Sequence, residues 1–278
     1  MKNSIKTLLG VFAMMCMCAS ANAEEKPQNV WPSKRPTDVH LKKGKMEQKL
    51  GDDDILRVTN NPIPTLTKYP VKNSKRDKVM IICPGGGYGI LAINHEGTEI
   101  AQWLNNMGYT AYILAYRVPG DREGALQDAQ RAVRMVRAEN PGKKVGIMGF
   151  SAGASLSCRT ATRHAIDSYQ PVDEIDKQSQ AVDFACLIYP AYMDDGENHT
   201  LTPELTVDDT TPRMFVFQTT DDPYGNSALV ISQALRNKKV PVELHLYPEG
   251  GHGYGMRQSI APVGRIWPKL METWMETF

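Results

Sequence analysis

Short apolar segments alternate with segments of helical period from residue 78 onward, and this pattern constrains the fold more than any other feature of the chain. Residues 79–83 are continuously apolar, which is typical of a strand that is covered on both faces. Later strands are predicted at residues 110–115, 144–148, 182–189, 213–218 and 241–247. Helices are predicted at residues 97–107, 122–139, 152–166, 226–237 and 262–278. Because strands and helices that alternate at this spacing form parallel sheets, we predict an α/β fold with a mostly parallel sheet and helices on both faces.

The first 23 residues have the pattern of a secretory signal peptide. Two early lysines precede an apolar run over residues 8–19, and an A-x-A motif ends at Ala23. We therefore expect cleavage after Ala23 and a periplasmic or secreted protein. A lipid anchor is the rival interpretation, because Cys16 and Cys18 lie in the apolar run, but the residues before them fit a lipidation site poorly. The run is too short to cross a bilayer, and no later segment predicts membrane insertion after cleavage.

The chain after this leader divides into a polar arm and one large domain. Residues 24–54 are rich in proline, lysine and aspartate, so we expect a loosely held N-terminal arm. Residues 55–278 are long enough for one α/β domain with a large core, and they show no internal repeat. Candidate strands at residues 55–58 and 65–71 begin this domain. The loop at residues 190–212 is polar and acidic and leaves little room for a lid, so we expect no large lid domain.

Charge and cysteine content exclude several classes of protein. The chain has 32 Lys and Arg residues against 31 Asp and Glu residues, so nothing favours a nucleic acid or an anionic membrane surface as a partner. Three cysteines lie after the leader, namely Cys83, Cys158 and Cys186, each in or beside an apolar run. An odd number of cysteines in such positions predicts buried free thiols rather than a disulfide framework.

Two patterns that could indicate a cofactor or a metal both fail on spacing. A phosphate-binding glycine fingerprint that begins at Gly85 would need its third glycine where Ile90 stands. His95 and Glu96 could begin a zinc-protease motif, but Glu99 stands in the place of the second histidine. We therefore expect neither a metal ion nor an organic cofactor.

A strand-to-helix turn with a serine at its corner is the strongest functional signal in the sequence. Residues 149–153 have the spacing G-x-S-x-G, follow an apolar strand and precede a helix of small residues. So tight a turn strains the serine backbone and directs the Ser151 hydroxyl out of the turn. The N–H of Ala152 lies at the start of the new helix, where unpaired donors and the helix dipole favour negative charge. Ser151 is therefore predicted to be a nucleophile.

Two further side chains are predicted to join Ser151 at the carboxyl ends of the strands, where the active sites of such sheets lie. Asp221 and Asp222 follow the strand at residues 213–218, and His252 follows the last strand, between glycines of a loop. The order serine, acid, histidine is that of hydrolases with a G-x-S-x-G turn. A histidine can accept the serine proton near neutral pH, and the acid orients the imidazole. Asp222 is preferred as the acid, with Asp221 as the alternative.

A glycine-rich segment follows the first regular strand. Residues 84–88 read Pro-Gly-Gly-Gly-Tyr, and the glycines let backbone N–H groups approach a ligand closely. Together with the N–H of Ala152, such donors can form an oxyanion hole, in which each donor stabilises the transition state by roughly 3 kcal/mol. This segment is therefore predicted to stabilise negative charge on a substrate oxygen.

These segments resemble the secreted bacterial acetylxylan-esterase-like branch of the α/β-hydrolases, over about residues 78–256. The motifs that resemble this branch are CPGGGY at residues 83–88, HEG at 95–97, YRVP at 116–119, DAQRA at 128–132, GFSAG at 149–153 and GGHGYG at 250–255. The resemblance implies an α/β-hydrolase fold and a carbohydrate-ester hydrolase. The site residues that it implies are Ser151 (nucleophile), His252 (base), Asp222 (acid) and the oxyanion-hole donors Gly86, Gly87 and Ala152. The chain departs from related enzymes at Pro84, where histidine is common, and at residues 223–226, where Val-Pro usually follows the acid.

The expected function is hydrolysis of acetyl or similar small acyl esters on plant polysaccharide fragments such as xylan. Short polar loops favour an open cleft and a soluble alcohol portion, whereas a lipase would need an apolar lid. Two alternatives stay open at this point. One is a serine peptidase of the prolyl-oligopeptidase type, although such peptidases usually have a large additional domain. The other is a catalytically silent sugar-binding protein of the same fold.

Overall fold

A computed structural model describes residues 24–33 and 44–278 of the chain. The predicted signal peptide at residues 1–23 lies outside the described residues, as do residues 34–43 of the arm. The strands are β1 Gln28–Asn29, β2 Glu47–Leu50, β3 Leu56–Thr59, β4 Thr65–Tyr69, β5 Lys78–Cys83, β6 Leu91–Ala92, β7 Thr110–Ala115, β8 Lys144–Phe150, β9 Phe184–Ile188, β10 Arg213–Thr219 and β11 Val242–Tyr247. The α-helices are α1 Glu99–Asn106, α2 Arg122–Glu139, α3 Ala152–Thr162, α4 Asn226–Asn237 and α5 Trp267–Met275. Short helical turns of other types cover Asn94–Thr98, Glu174–Lys177 and Pro262–Arg265.

The described part of the chain forms a large sheet with the strand order β1-β4-β7-β5-β8-β9-β10-β11. Neighbouring strands from β7 to β11 in this order pair in parallel. At the other edge, β4 pairs antiparallel with β7, and β1 pairs antiparallel with β4. The predicted α/β fold with a mostly parallel sheet is therefore confirmed, and the carboxyl ends of β5, β8, β9, β10 and β11 lie along one rim.

Helices cover both faces of this sheet, and each face has its own core. In β5, the side chains of Val79 and Ile81 pack into a core with α2, α3 and α4. Met80 and Ile82 point to the other face and pack into a core with α1 and α5. This arrangement explains why β5 is apolar at every position instead of every second one. Each fully buried aliphatic side chain contributes about 1.5–3 kcal/mol, so the central strands are firmly fixed and so are the loops that leave their ends.

The N-terminal arm is held more firmly than its composition predicts. Gln28–Asn29 pairs with β4 as the edge strand β1, and Val30 and Trp31 are buried. The Trp31 indole Nε1–H donates a 2.7 Å hydrogen bond to the buried carboxylate of Asp128 on α2. The expectation of a loose arm is therefore wrong for residues 28–31, because two apolar side chains within the polar segment dock onto the core.

A second, smaller sheet lies beside the first. It has the order β2-β3-β6, and both pairings are antiparallel. The candidate strand at residues 55–58 corresponds to β3 and belongs to this smaller sheet, whereas the candidate at residues 65–71 corresponds to β4 of the large sheet. Since β6 closely follows the glycine-rich segment and pairs with β3, the smaller sheet positions Arg57 of β3 next to the predicted active site.

The loop that leaves the carboxyl rim after β9 covers residues 189–212. Between β9 and β10, the residues of the described chain form a loop with one isolated bridge, Asp194 to Leu201, and no large lid domain. Cys83, Cys158 and Cys186 are free and buried, as predicted. Within the ranges that the structure describes, no helix has both the length and the apolar character needed to cross a bilayer.

Candidate active site

The turn after β8 holds Ser151 in a strained backbone conformation. Its φ of 53° and ψ of −118° lie outside the regions that L-residues ordinarily adopt. The backbone comes so close at this turn that both flanking residues must be glycine. A Cβ on Gly149 would lie 2.0 Å from the carbonyl oxygen of Gly153. A Cβ on Gly153 would lie 2.0 Å from the carbonyl oxygen of Cys83. The turn therefore fixes the Ser151 hydroxyl between the end of β8 and the start of α3, as the G-x-S-x-G spacing requires.

The imidazole of His252 lies between Ser151 and Asp222. Its Nε2 is 2.7 Å from Ser151 Oγ, and its Nδ1 is 2.7 Å from Asp222 Oδ2. Because a carboxylate only accepts hydrogen bonds, Nδ1 donates to Asp222, and Nε2 is left to accept from the serine hydroxyl. The Asp222 side chain is fully buried, and its Oδ1 accepts a 2.7 Å hydrogen bond from the Tyr224 N–H. Three loops that are distant in sequence thus form one hydrogen-bonded series suited to proton transfer from the serine.

Asp221 points away from the imidazole. Its two carboxylate oxygens accept hydrogen bonds from the backbone N–H groups of Gly251, at 2.8 Å, and Gly250, at 3.0 Å. These hydrogen bonds, of which the one from Gly251 has the larger effect, lower the pKa of Asp221. Of the two acids that the sequence left open, Asp222 contacts His252, whereas Asp221 anchors the loop in which His252 stands.

Backbone donors lie next to the serine. Gly86 and Gly87 line the cleft that contains Ser151 and His252, and the Ala152 N–H begins α3. Among the hydrogen bonds of the described residues, the N–H groups of Gly86, Gly87 and Ala152 have no acceptor. Unsatisfied donors of this kind at a helix start and an adjoining loop suit a negatively charged oxygen.

A buried carboxyl, which the sequence does not mark as part of the site, lies against the glycine-rich loop. Glu96 is 3% exposed; its Oε2 accepts a 2.7 Å hydrogen bond from the Gly85 N–H, and its Oε1 accepts one of 2.6 Å from the Tyr189 hydroxyl. The Tyr189 hydroxyl oxygen in turn accepts from the Gly255 N–H at 2.9 Å. Burial raises the pKa of Glu96. Glu96 therefore joins the glycine-rich loop to the loop of His252, and the motif HEG was the available signal.

The cleft above Ser151 has a volume of about 320 Å³. One group of lining side chains belongs to the smaller sheet and the glycine-rich loop, and it includes Arg57 and Ile90. The other group is aromatic, Tyr192 and Tyr224. No motif in the sequence indicates these side chains, although Tyr224 stands only two positions after Asp222. Across the described residues, no cluster of three or more His, Cys, Asp or Glu side chains could hold a metal ion.

The fold and the geometry of this site define the class of the protein: it is an α/β hydrolase whose serine, histidine and acid meet at the carboxyl rim of the sheet. Comparison with known families makes the class more specific. The model of the dienelactone hydrolase family matches residues 112–266, more than half of the chain, and the chain belongs to this family. The matched range contains Ser151, Asp222 and His252, whereas the glycine-rich loop precedes it.

Three known proteins show how the chain relates to others. Endo-1,4-beta-xylanase B of Butyrivibrio fibrisolvens is 33% identical over 223 residues, which cover 69% of this chain and 34% of the relative. Acetylxylan esterase of Xylanibacter ruminicola is 28% identical over 226 residues, which cover 69% of this chain and 47% of the relative. The crystal structure of an acetyl ester-xyloside bifunctional hydrolase from Caldicellulosiruptor lactoaceticus superimposes with a TM-score of 0.73 at 29% identity, covering 91% of this chain and 96% of that one. The chain thus spans a third to a half of the length of the two curated relatives.

Proposed function

We propose that the protein is a serine carboxylic-ester hydrolase that removes acetyl or similar small acyl groups from plant polysaccharide fragments such as xylan. The observation that carries this proposal is the hydrogen-bonded series from Ser151 through His252 to Asp222, with unsatisfied backbone donors beside it. The similarity to an acetylxylan esterase and to an acetyl ester-xyloside hydrolase supports the class of substrate.

The proposed reaction forms and then hydrolyses an acyl-enzyme. Ser151 Oγ attacks the ester carbonyl while His252 Nε2 accepts its proton, and Asp222 stabilises the resulting imidazolium. The carbonyl oxygen becomes negatively charged and accepts hydrogen bonds from the N–H groups of Gly86, Gly87 and Ala152. His252 then donates its proton to the leaving alcohol. A water molecule, deprotonated by His252, attacks the acyl-enzyme, and Ser151 recovers its proton as the carboxylic acid leaves.

Hydrolysis of p-nitrophenyl acetate by wild type and by Ser151→Ala tests this proposal. We expect kcat to fall by about 10⁴-fold or more in the variant, because the nucleophile and its proton transfer are both removed. Ser232→Ala is a matched control, since this buried serine of α4 has no hydrogen-bond partner among the described residues. Equal rates for wild type and Ser151→Ala would refute the proposal.

Labelling of Ser151 by a fluorophosphonate is expected for an enzyme, whereas a catalytically silent sugar-binding protein would not be labelled.

We further propose that cleavage after Ala23 releases the mature protein into the periplasm or the medium, where it acts without membrane insertion. The pattern of charged, apolar and small residues in the first 23 positions supports this proposal. Sequencing the N terminus of the protein purified from expressing cells would test it. We expect the mature chain to begin at Glu24. A chain that begins at Met1 would contradict export by this route, and a lipid-modified cysteine at position 16 or 18 would favour the anchor instead.

A further inference from the structure

We infer that Tyr224, together with the ion pair between Arg57 and Asp53, forms a subsite for the sugar ring whose hydroxyl bears the acyl group. The inference rests on the proposed function, because it describes how the same site binds the alcohol portion of the ester. Tyr224 and Arg57 both line the cleft that contains Ser151. The two features offer different chemistry, one a flat apolar surface and the other a planar set of hydrogen-bonding groups.

Tyr224 presents an aromatic ring to solvent directly beside the proposed base. It is 37% exposed, and among the large hydrophobic side chains that are exposed in the described chain it is the only aromatic one. Its ring centroid lies 5.0 Å from that of His252. A flat ring with a negative face suits the C–H bonds on the face of a sugar. The aromatic surface available to a substrate is thus concentrated at the point where the leaving alcohol must lie.

The ring of Tyr224 is held in place before any substrate binds. On one side it packs against the ring of Tyr192 at a centroid distance of 5.3 Å, and the guanidinium of Arg122 lies 4.9 Å from the centroid of Tyr192. The Tyr224 backbone is fixed as well, by the hydrogen bond from its N–H to Asp222. A surface that is already ordered loses little conformational freedom when a ligand binds, which favours binding.

Arg57 lines the same cleft, and an ion pair with Asp53 holds its guanidinium. Two guanidinium nitrogens donate to the two carboxylate oxygens, at 2.8 Å and 2.6 Å. The side chains are 38% and 48% exposed, so an exposed pair of this kind stabilises the fold little. Because the pair is neutral overall, it attracts anions weakly. Arg57 Nη1 also donates to the Ile55 carbonyl at 3.2 Å, and Asp53 Oδ1 accepts from the Ile55 N–H at 3.2 Å. The remaining N–H groups of the planar guanidinium suit adjacent hydroxyl groups of a neutral sugar.

The combination favours one class of alcohol. A pyranose whose hydroxyls are all equatorial, such as xylopyranose, has C–H bonds on both faces and hydroxyls around its edge. The face of such a ring can lie against Tyr224 while its edge bonds to Arg57. A small alkyl alcohol has neither feature. The subsite therefore predicts higher kcat/KM for acetyl esters of equatorial pyranosides than for alkyl acetates.

The test compares kcat/KM for acetylated methyl β-xylopyranoside with kcat/KM for ethyl acetate, and uses the ratio of the two as its measure. In Tyr224→Ala we expect this ratio to fall about five- to tenfold, as the loss of one aromatic contact implies. In Tyr224→Phe the ratio should stay within about twofold of wild type, since stacking needs the ring and not its hydroxyl. Arg57→Ala should lower the ratio by about threefold or more through lost hydrogen bonds. Ile166→Ala, an exposed apolar residue outside the cleft, should change neither rate.

The outcomes separate this inference from the proposed function. If Tyr224→Ala lowers both rates by the same factor, the ring acts on His252 rather than on the sugar, and the inference is wrong. An unchanged ratio in either Tyr224→Ala or Arg57→Ala would also overturn it. A wild type that hydrolyses ethyl acetate with equal or higher kcat/KM refutes the sugar subsite alone. A wild type that hydrolyses neither ester refutes the proposed function and the subsite together.

Discussion

The carboxylate of Asp222 lies 2.7 Å from the imidazole of His252, whereas the neighbouring carboxylate of Asp221 accepts hydrogen bonds from two backbone N–H groups of the histidine loop. In Asp222→Asn, the side-chain amide can no longer stabilise the imidazolium or hold the ring in the tautomer that accepts from Ser151. We therefore expect kcat for p-nitrophenyl acetate to fall by about 10⁴-fold. Steady-state kinetics at pH 8 would measure the loss.

Asp221→Asn is the matched control for this change. It removes the same charge one position away, but it leaves an oxygen that can still accept from the loop backbone. We expect kcat to fall by less than about tenfold, since the bonds affected act on the loop and not on the imidazole. A larger loss in Asp221→Asn than in Asp222→Asn would show that the acid has been assigned to the wrong residue.

The choice between these two acids illustrates what the sequence can and cannot predict. The order of Ser151, acid and His252 follows from which residues come after each strand, and that information is local. Adjacent side chains after a strand point in different directions, so only the geometry of the turn decides which aspartate faces the imidazole. The role of Glu96 cannot be predicted from the sequence for a similar reason, because its partner Tyr189 is 93 residues away along the chain.

The bounds of a helix can be predicted from the sequence where its own residues and its caps determine them. The bounds of α2 were predicted as Arg122–Glu139 and are found there. The Asp121 side chain caps the helix by accepting from the Gly124 N–H, and Asn140 follows its end. The docking of Trp31 could not be predicted in this way. It depends on a buried acceptor on α2, and the polar residues around Trp31 suggested a loose segment.

Gly86 is predicted to be essential for placing the oxyanion donors. Its φ is +132°, and a Cβ on it would lie 2.2 Å from the carbonyl oxygen of Ile90. Gly86→Ala must therefore displace the loop, and we expect kcat to fall by about 10²- to 10³-fold, comparable to the loss of one oxyanion donor. Steady-state kinetics would separate this fall in kcat from a change in KM.

Gly142→Ala provides the control for backbone strain. Gly142 also has a positive φ, +80°, but a Cβ there would meet nothing within 4 Å, and the turn lies between α2 and β8. We expect a loss of stability of about 1–2 kcal/mol and an unchanged kcat. If both variants lower kcat equally, strain alone explains the result and the role given to the glycine-rich loop is wrong.

Glu96 is predicted to position both loops of the site. Glu96→Gln keeps the size of the side chain, but its amide can accept only one of the two hydrogen bonds that the carboxylate accepts from Gly85 and Tyr189. We expect kcat to fall by about tenfold, the effect of one lost hydrogen bond, with a smaller change in KM. A change confined to KM would indicate that Glu96 contributes to substrate binding instead.

The same variant tests the raised pKa of Glu96 through the pH dependence of stability. The folded state favours the neutral carboxyl because burial raises the pKa above the ordinary value of about 4.3. Between the two pKa values the folded chain holds a proton that the unfolded chain releases, so the stabilising contribution is lost as the pH rises. The unfolding free energy of wild type minus that of Glu96→Gln should therefore fall as the pH rises from about 4 and then level off. Urea unfolding between pH 4 and 8 would measure it, and a difference that increases with pH would contradict the raised pKa.

The buried ion pair between Arg117 and Asp128 is predicted to support both the core and the N-terminal arm. Asp128 is fully buried and accepts hydrogen bonds from the Arg117 backbone N–H at 3.0 Å and from Trp31 Nε1 at 2.7 Å. Asp128→Ala removes the carboxylate that faces the buried guanidinium, and we expect the unfolding free energy to fall by about 3–5 kcal/mol. Urea denaturation followed by circular dichroism would measure the change.

In contrast, Glu174→Ala breaks a pair with Lys177 in which both side chains are exposed, and it should lower stability by less than about 1 kcal/mol. Similar losses in the two variants would show that burial does not set the strength of these pairs.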